Sequence, residues 1–94
     1  MFIVFVHHIC KPDMVDQAVA RIDENGDRMM KIPGFIFRHR TENKENKYQI
    51  STVTGWADEA AYDAWIAVKG PADPGASPYE KVVNERHLVR SSHP

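Results

Sequence analysis

The stretch YQISTVTGWADEAAYDAW, residues 48–65, limits the possible folds more than any other part of the chain. It reads as a strand that ends at Trp56 and turns at once into a helix. Asp58 is placed to cap that helix, and Glu59, Ala60 and Ala61 make a favourable first turn. Three large aromatics gather at the junction: Trp56 at the strand end, then Tyr62 and Trp65 on the helix. Positions three apart share a helix face, so Tyr62 and Trp65 both look back at the sheet.

The rest of the chain supplies the partners for this unit. Residues 2–9, FIVFVHHI, are β-branched or aromatic almost throughout, which predicts a strand buried on both faces. Alternation puts Ile3, Phe5, His7 and Ile9 on one face and Phe2, Val4, Val6 and His8 on the other. Lys11-Pro12-Asp13 breaks the pattern, with Asp13 as the expected cap of a helix from Met14 to Met30. Val15, Ala18, Ile22, Met29 and Met30 fall near one face of that helix. Gly26 inside it costs about 1 kcal/mol relative to alanine, which implies either close packing against the sheet or an irregular turn.

Pro33-Gly34 turns the chain into a second strand, Phe35 to Thr41. Phe35, Phe37, His39 and Thr41 share one face of it; Ile36, Arg38 and Arg40 share the other. The arginines pair with acids at a subunit interface, face solvent or bind an anion. ENKENK, residues 42–47, is a polar hairpin connection to the third strand, Tyr48 to Trp56. The second helix fades after Val68. Residues 69–78, KGPADPGASP, form a loop, either a plain connection or a lid. A short helical turn over Tyr79–Asn84 and a short strand over His87–Arg90 complete the expected order. It is β-α-β-β-α-β, the ferredoxin-like arrangement of the α+β class, in one domain spanning residues 1–94.

Composition excludes several functions. The net charge of −1 gives no electrostatic reason to expect nucleic acid or an anionic membrane. The apolar start MFIVFVHHI is too short for a membrane span and lacks the basic residues of a signal peptide. Cys10 is the only cysteine, so no disulfide supports the fold, and a reducing cytoplasm fits. A chain of 94 residues has a marginal core, and a homodimer is the natural source of further burial. His7 and His8 are neighbours on a strand and point to opposite faces, and no HxH, HExxH or CxxC spacing occurs, so no metal is expected. There is no Gly-rich phosphate loop and no GxSxG.

Three motifs carry a likeness: IPGF (Ile32–Phe35), GWADEAAY (Gly55–Tyr62), and the spacing of Trp56, Tyr62 and Trp65. On these the chain resembles the antibiotic-biosynthesis-monooxygenase group of the dimeric α+β barrel superfamily over most of its length. The resemblance implies a homodimer whose sheets face each other and bury Val4 and Val6, with a pocket between sheet and helices in each subunit. Members that oxidise polycyclic aromatic phenols without metal or flavin place a strand-end Trp and a helix Tyr in that pocket. Trp56 and Tyr62 match these positions, while the Asn four residues before the Trp falls here on Thr52. Haem-degrading members carry a second-helix Trp that matches Trp65, and their first-strand Asn falls on His7. Their haem-ligand His has no counterpart among Tyr79–Val83, so haem degradation is not implied.

What the resemblance implies is therefore cofactor-independent oxygenation of a small aromatic or quinol-type substrate by dioxygen. His7 is then the base, with Thr52 and Tyr62 as orienting donors. Trp56, Trp65, His39 and Phe37 contact substrate. Other possibilities stand beside this one. His7 is a half-buried strand residue bonded to a neighbour, His39 faces water, and the aromatics are plain core. The chain as a whole is then a non-catalytic ligand-binding or stress-response barrel, or an isomerase or lyase on the same scaffold.

Overall fold

The computed structural model describes residues 1–70 and 77–94. Its elements run β1 (Phe2–Cys10), α1 (Val15–Met29), β2 (Phe35–Glu42), β3 (Gln49–Trp56), α2 (Glu59–Lys69) and β4 (Tyr79–Leu88). The strands form one antiparallel sheet in the order β2-β3-β1-β4. The expected ferredoxin-like order is thus present. β1 lies inside the sheet and pairs on both edges, as its apolar run requires.

Both helices lie over one face of the sheet. Phe2, Val4, Trp56, Tyr62 and Trp65 form one core cluster under α2, with Met29, Ile32 and Phe35 packed against it. Cys10, Ala18, Ile22 and Ile50 form a second cluster under α1. Among the described residues, the other face of the sheet carries no helix. Ile3, Phe5, Phe37 and Val53 are half-buried there.

Local chemistry sets most boundaries. The Asp58 carboxylate accepts from the Ala61 N–H at 2.9 Å and caps α2 as expected. Gly34 has φ +91°, a conformation open to glycine, and a Cβ there would stand 2.6 Å from that of Ala61. In the hairpin connection the Asn43 side chain accepts from the N–H groups of Glu45 and Asn46.

Several expectations need correction. Asp13 does not cap α1: the N-cap position is Met14, without a side-chain cap bond, because Pro12 and Asp13 are spent in a turn. The helical turn over Tyr79–Asn84 and the separate last strand are one continuous strand, β4. It is an edge strand, rich in Glu, Lys and Arg, and the backbone of β1 dictates its pairing more than its own side-chain pattern. Val4 and Val6 face the helices, not a partner sheet: Val4 is fully buried in the α2 cluster, and Val6 packs against that cluster. Phe35 does not share the face of Phe37: it packs against the Trp56 cluster, because the pairing with β3 shifts register between Phe35 and Phe37. The lid or plain connection expected over residues 69–78 lies largely outside the described residues.

Candidate functional site

The two core clusters do not meet. Between them, under the helices, is a cavity of about 480 Å³. Its floor comes from Thr52 and Thr54 on β3 and Val6 and His8 on β1, and its walls from Ile22 of α1 and from Tyr62 and Trp65 of α2. Asn84, Arg28 and Lys69, all exposed, stand at its mouth. β1 and β3 pair with Val6 opposite Thr52 and Val4 opposite Thr54, so these side chains share the helix-covered face.

This register separates the expected site residues. Thr52, Tyr62 and Trp65 are together in the cavity wall. Trp56 is fully buried one layer away; its indole N–H donates to the Thr54 hydroxyl at 2.9 Å, and its ring meets Tyr62 at 5.5 Å. Trp56 supports the wall from behind and does not line the cavity. His7, Phe37 and His39 are on the opposite side of the sheet. His7 pairs with Ser51, and its Nδ1 lies 2.8 Å from the Ser51 hydroxyl; Glu85 is 3.7 Å from its Nε2. His39 is exposed, with its ring 5.4 Å from that of Phe37, which covers Gly55. The expectation that His7 and His39 share a face with Trp56 is therefore corrected: alternation along β1 and β2, read against their partners on β3, turns both away from the cavity. His7 borders a separate hollow of about 300 Å³ with Phe5, Thr41 and Ser51.

The histidine in the cavity is His8. Its Nδ1 lies 3.1 Å from the Ile50 carbonyl, which only accepts, so Nδ1 carries the proton and Nε2 is left as an acceptor. Burial lowers its pKa from 6.5 to about 4, with the Ile50 bond opposing, so the ring is neutral near pH 7. The Tyr79 ring meets it at 4.9 Å, tilted by 43°, and burial raises its phenol above the usual value. Tyr62 accepts a hydrogen bond from Asn84 Nδ2 at 3.0 Å, which leaves its own proton to be donated.

Arg38 is the residue the sequence concealed. It faces the cavity from β2, paired across from Thr54 on the helix-covered side of the sheet. One Nη donates to the Ile22 carbonyl at 2.7 Å, and Asp23 is 3.8 Å away. Arg40 takes the nearer place on Asp23, at 2.8 Å. Gly26 exists for this guanidinium: a Cβ on Gly26 would stand 2.5 Å from Arg38 Cζ. The available signal was joint: two arginines on one strand face together with a glycine inside a facing helix.

Among the described residues no three His, Cys, Asp or Glu side chains gather as metal ligands. The Cys10 thiol is buried, and burial raises its pKa, so it is a poor nucleophile. No helix among the described residues is long and apolar enough to cross a membrane.

A four-stranded antiparallel sheet with both helices on one face, and a cavity between them, defines a small-molecule site on a ferredoxin-like α+β scaffold. The sequence matches the antibiotic biosynthesis monooxygenase family over residues 1–67, and the chain belongs to that family. No curated protein matches it. Among solved structures it is similar to an antibiotic biosynthesis monooxygenase, with 15% identity, 97% of this chain and 100% of that one covered, and a TM-score of 0.79. A conserved protein from Methanosarcina mazei Go1 has 19% identity, covering 92% of this chain and 89% of its own, with a TM-score of 0.78. A mutant of MhuD with two manganese protoporphyrin IX groups bound per active site has 14% identity, with 100% and 99% covered and a TM-score of 0.78. At these identities the structures speak for the fold alone.

Proposed function

We propose that this chain is a monooxygenase that oxidises a small phenol or quinol ring with dioxygen, without a resident cofactor, in the cavity beneath α1 and α2. The observation that carries the proposal is the cavity: about 480 Å³, walled by Trp65 and Tyr62 and bordered by polar and charged side chains, in a chain of this family. The substrate hydroxyl donates to His8 Nε2. An imidazole with a pKa of about 4 is too weak a base to take the phenol proton outright. It holds the hydroxyl, while the cationic side chains around the cavity favour the phenolate and the proton leaves to water at the mouth. Thr52 and Tyr62 orient the substrate oxygens, and Trp65 holds the ring.

The phenolate gives one electron to dioxygen, and the radical pair joins at a ring carbon that bears hydrogen, para to the oxygen in a phenol and ortho to it in a quinol, whose para carbon already carries oxygen. The hydroperoxide formed there loses water to give the quinone. One oxygen atom ends on the ring and the other in water, and the ring supplies all the electrons. A second copy of the chain covers the helix-free face, where Ile3, Phe5, Phe37 and Val53 are half-buried. A cytoplasmic location fits the lone unpaired cysteine.

The test is an oxygen-electrode assay with a panel of naphthols and hydroquinones. Quinone should form in step with oxygen uptake, and uptake should fall at least about tenfold in Trp65→Ala and in Tyr62→Phe. A ligand-induced thermal shift without oxygen uptake would make the protein a binder. Product without oxygen use would make it an isomerase or lyase.

A further inference from the structure

Among the described residues, four cationic side chains, Arg21, Arg28, Arg38 and Lys69, line the cavity against one carboxylate, Glu24. The chain as a whole carries a net charge of −1, so this positive surplus is local. A concave site lined by one sign of charge within low-dielectric walls concentrates field on whatever enters it.

Arg38 is set well into the structure, with 15% of its side chain exposed. Its environment leaves the charge under-compensated. The protein gives it one carbonyl, that of Ile22, and an ion pair stretched to 3.8 Å with an Asp23 that Arg40 already holds at 2.8 Å. Its Nε is buried without a hydrogen-bond partner. Burial lowers the Arg38 pKa from its ordinary value, with Asp23 opposing, yet a guanidinium stays charged under physiological conditions. A desolvated cation in this condition gains strongly from an anion placed beside it. Arg28 adds a second cation next to the aromatic wall, 5.4 Å above the Trp65 ring, and among the described residues it donates to the neutral Val68 carbonyl.

A phenol, even as its phenolate, uses only part of this surplus, since it brings a single charge and His8, Thr52 and Tyr62 already supply the hydrogen bonds of its oxygen. We infer that the cavity selects an aromatic acid: a ring that lies on Trp65 and carries a carboxylate drawn to the Arg38 and Arg28 side of the cavity. The inference rests on the proposed function only in using the same cavity and names its substrate class.

Gentisate and hydroquinone differ by one carboxylate and serve as probes. Binding is measured by calorimetry in the absence of oxygen. Gentisate should bind about tenfold to a hundredfold more tightly, as expected for a charge-assisted contact. That preference should shrink as salt rises. The ratio of the two affinities should fall toward one in Arg38→Gln. If that variant does not fold, as judged by circular dichroism, Arg28→Gln at the exposed mouth should lower the ratio by about twofold to threefold. Equal affinity for the two probes, no binding of either, or a ratio unmoved by the folded variants would overturn the inference. Tight gentisate binding with no oxygen uptake by either probe in air would end the monooxygenase proposal and leave the anion site standing. Oxygen uptake with equal affinities would do the reverse.

Discussion

His7 and His8 are adjacent on one strand, yet they live in different chemistry. His7 lies on the helix-free face beside Ser51 and Glu85, both reachable by water. His8 lies under the helices, its tautomer fixed by the Ile50 carbonyl and its pKa lowered to about 4 by burial. The same contrast extends across the sheet. Thr52, Thr54 and Trp56 are buried on the covered face, while Ser51, Val53, Phe37 and His39 stay partly or largely exposed on the other. A residue's type says what it is able to do; the side of the sheet it takes decides whether it does it.

The largest test of this contrast is packing. Trp56→Ala removes the fully buried indole behind the cavity wall and should cost about 3–5 kcal/mol in urea unfolding. A loss below about 1 kcal/mol would mean that the covered face is not the core.

The next test is pH. The folded-state pKa of His8, about 4, lies below its unfolded value of 6.5, so between these values the unfolded chain binds the extra proton. Stability due to His8 is therefore complete above about pH 6.5 and is lost as pH falls toward 4, by about 3 kcal/mol in all. Urea midpoints at a series of pH values should show this loss in the wild type and a flatter profile in His8→Gln. An unchanged profile would mean that the neutral, buried imidazole is not His8.

A smaller effect is expected where α2 is anchored over the covered face. Asp58→Ala removes the cap bond to Ala61 and should cost about 1 kcal/mol, read as a lower thermal midpoint. The smallest effect sharpens the comparison most. His7→Ala should change the affinity of the cavity for a bound phenol by less than about twofold, because the sheet lies between them. A tenfold loss in His7→Ala would reconnect the two faces and restore His7 as a site residue.

Much of the fold was legible because its signals are local. The alternating, β-branched runs of β1 and β3, the Pro33-Gly34 turn and the Asp58 cap each express a preference that the residue carries with it. β4 was harder, since an edge strand with Glu, Lys and Arg at successive positions has little pattern of its own. The cavity was half legible. Thr52, Tyr62 and Trp65 follow from strand alternation and helix spacing. His8 and Arg38 were each assigned to a face, but which face the helices cover depends on Val4 packing under α2 and Ile22 under α1, across separations that no short motif spans.

The chain by itself therefore determined its order of strands and helices, the aromatic junction at Trp56, Tyr62 and Trp65, and the absence of a disulfide. The tertiary structure decided which of two adjacent histidines enters the cavity, that Gly26 makes room for a guanidinium, and that the core divides around an open space. The reason is physical. Backbone preference acts within a few residues, whereas burial, and the charge and proton balance that burial sets, depend on what the distant parts of the chain bring against each face.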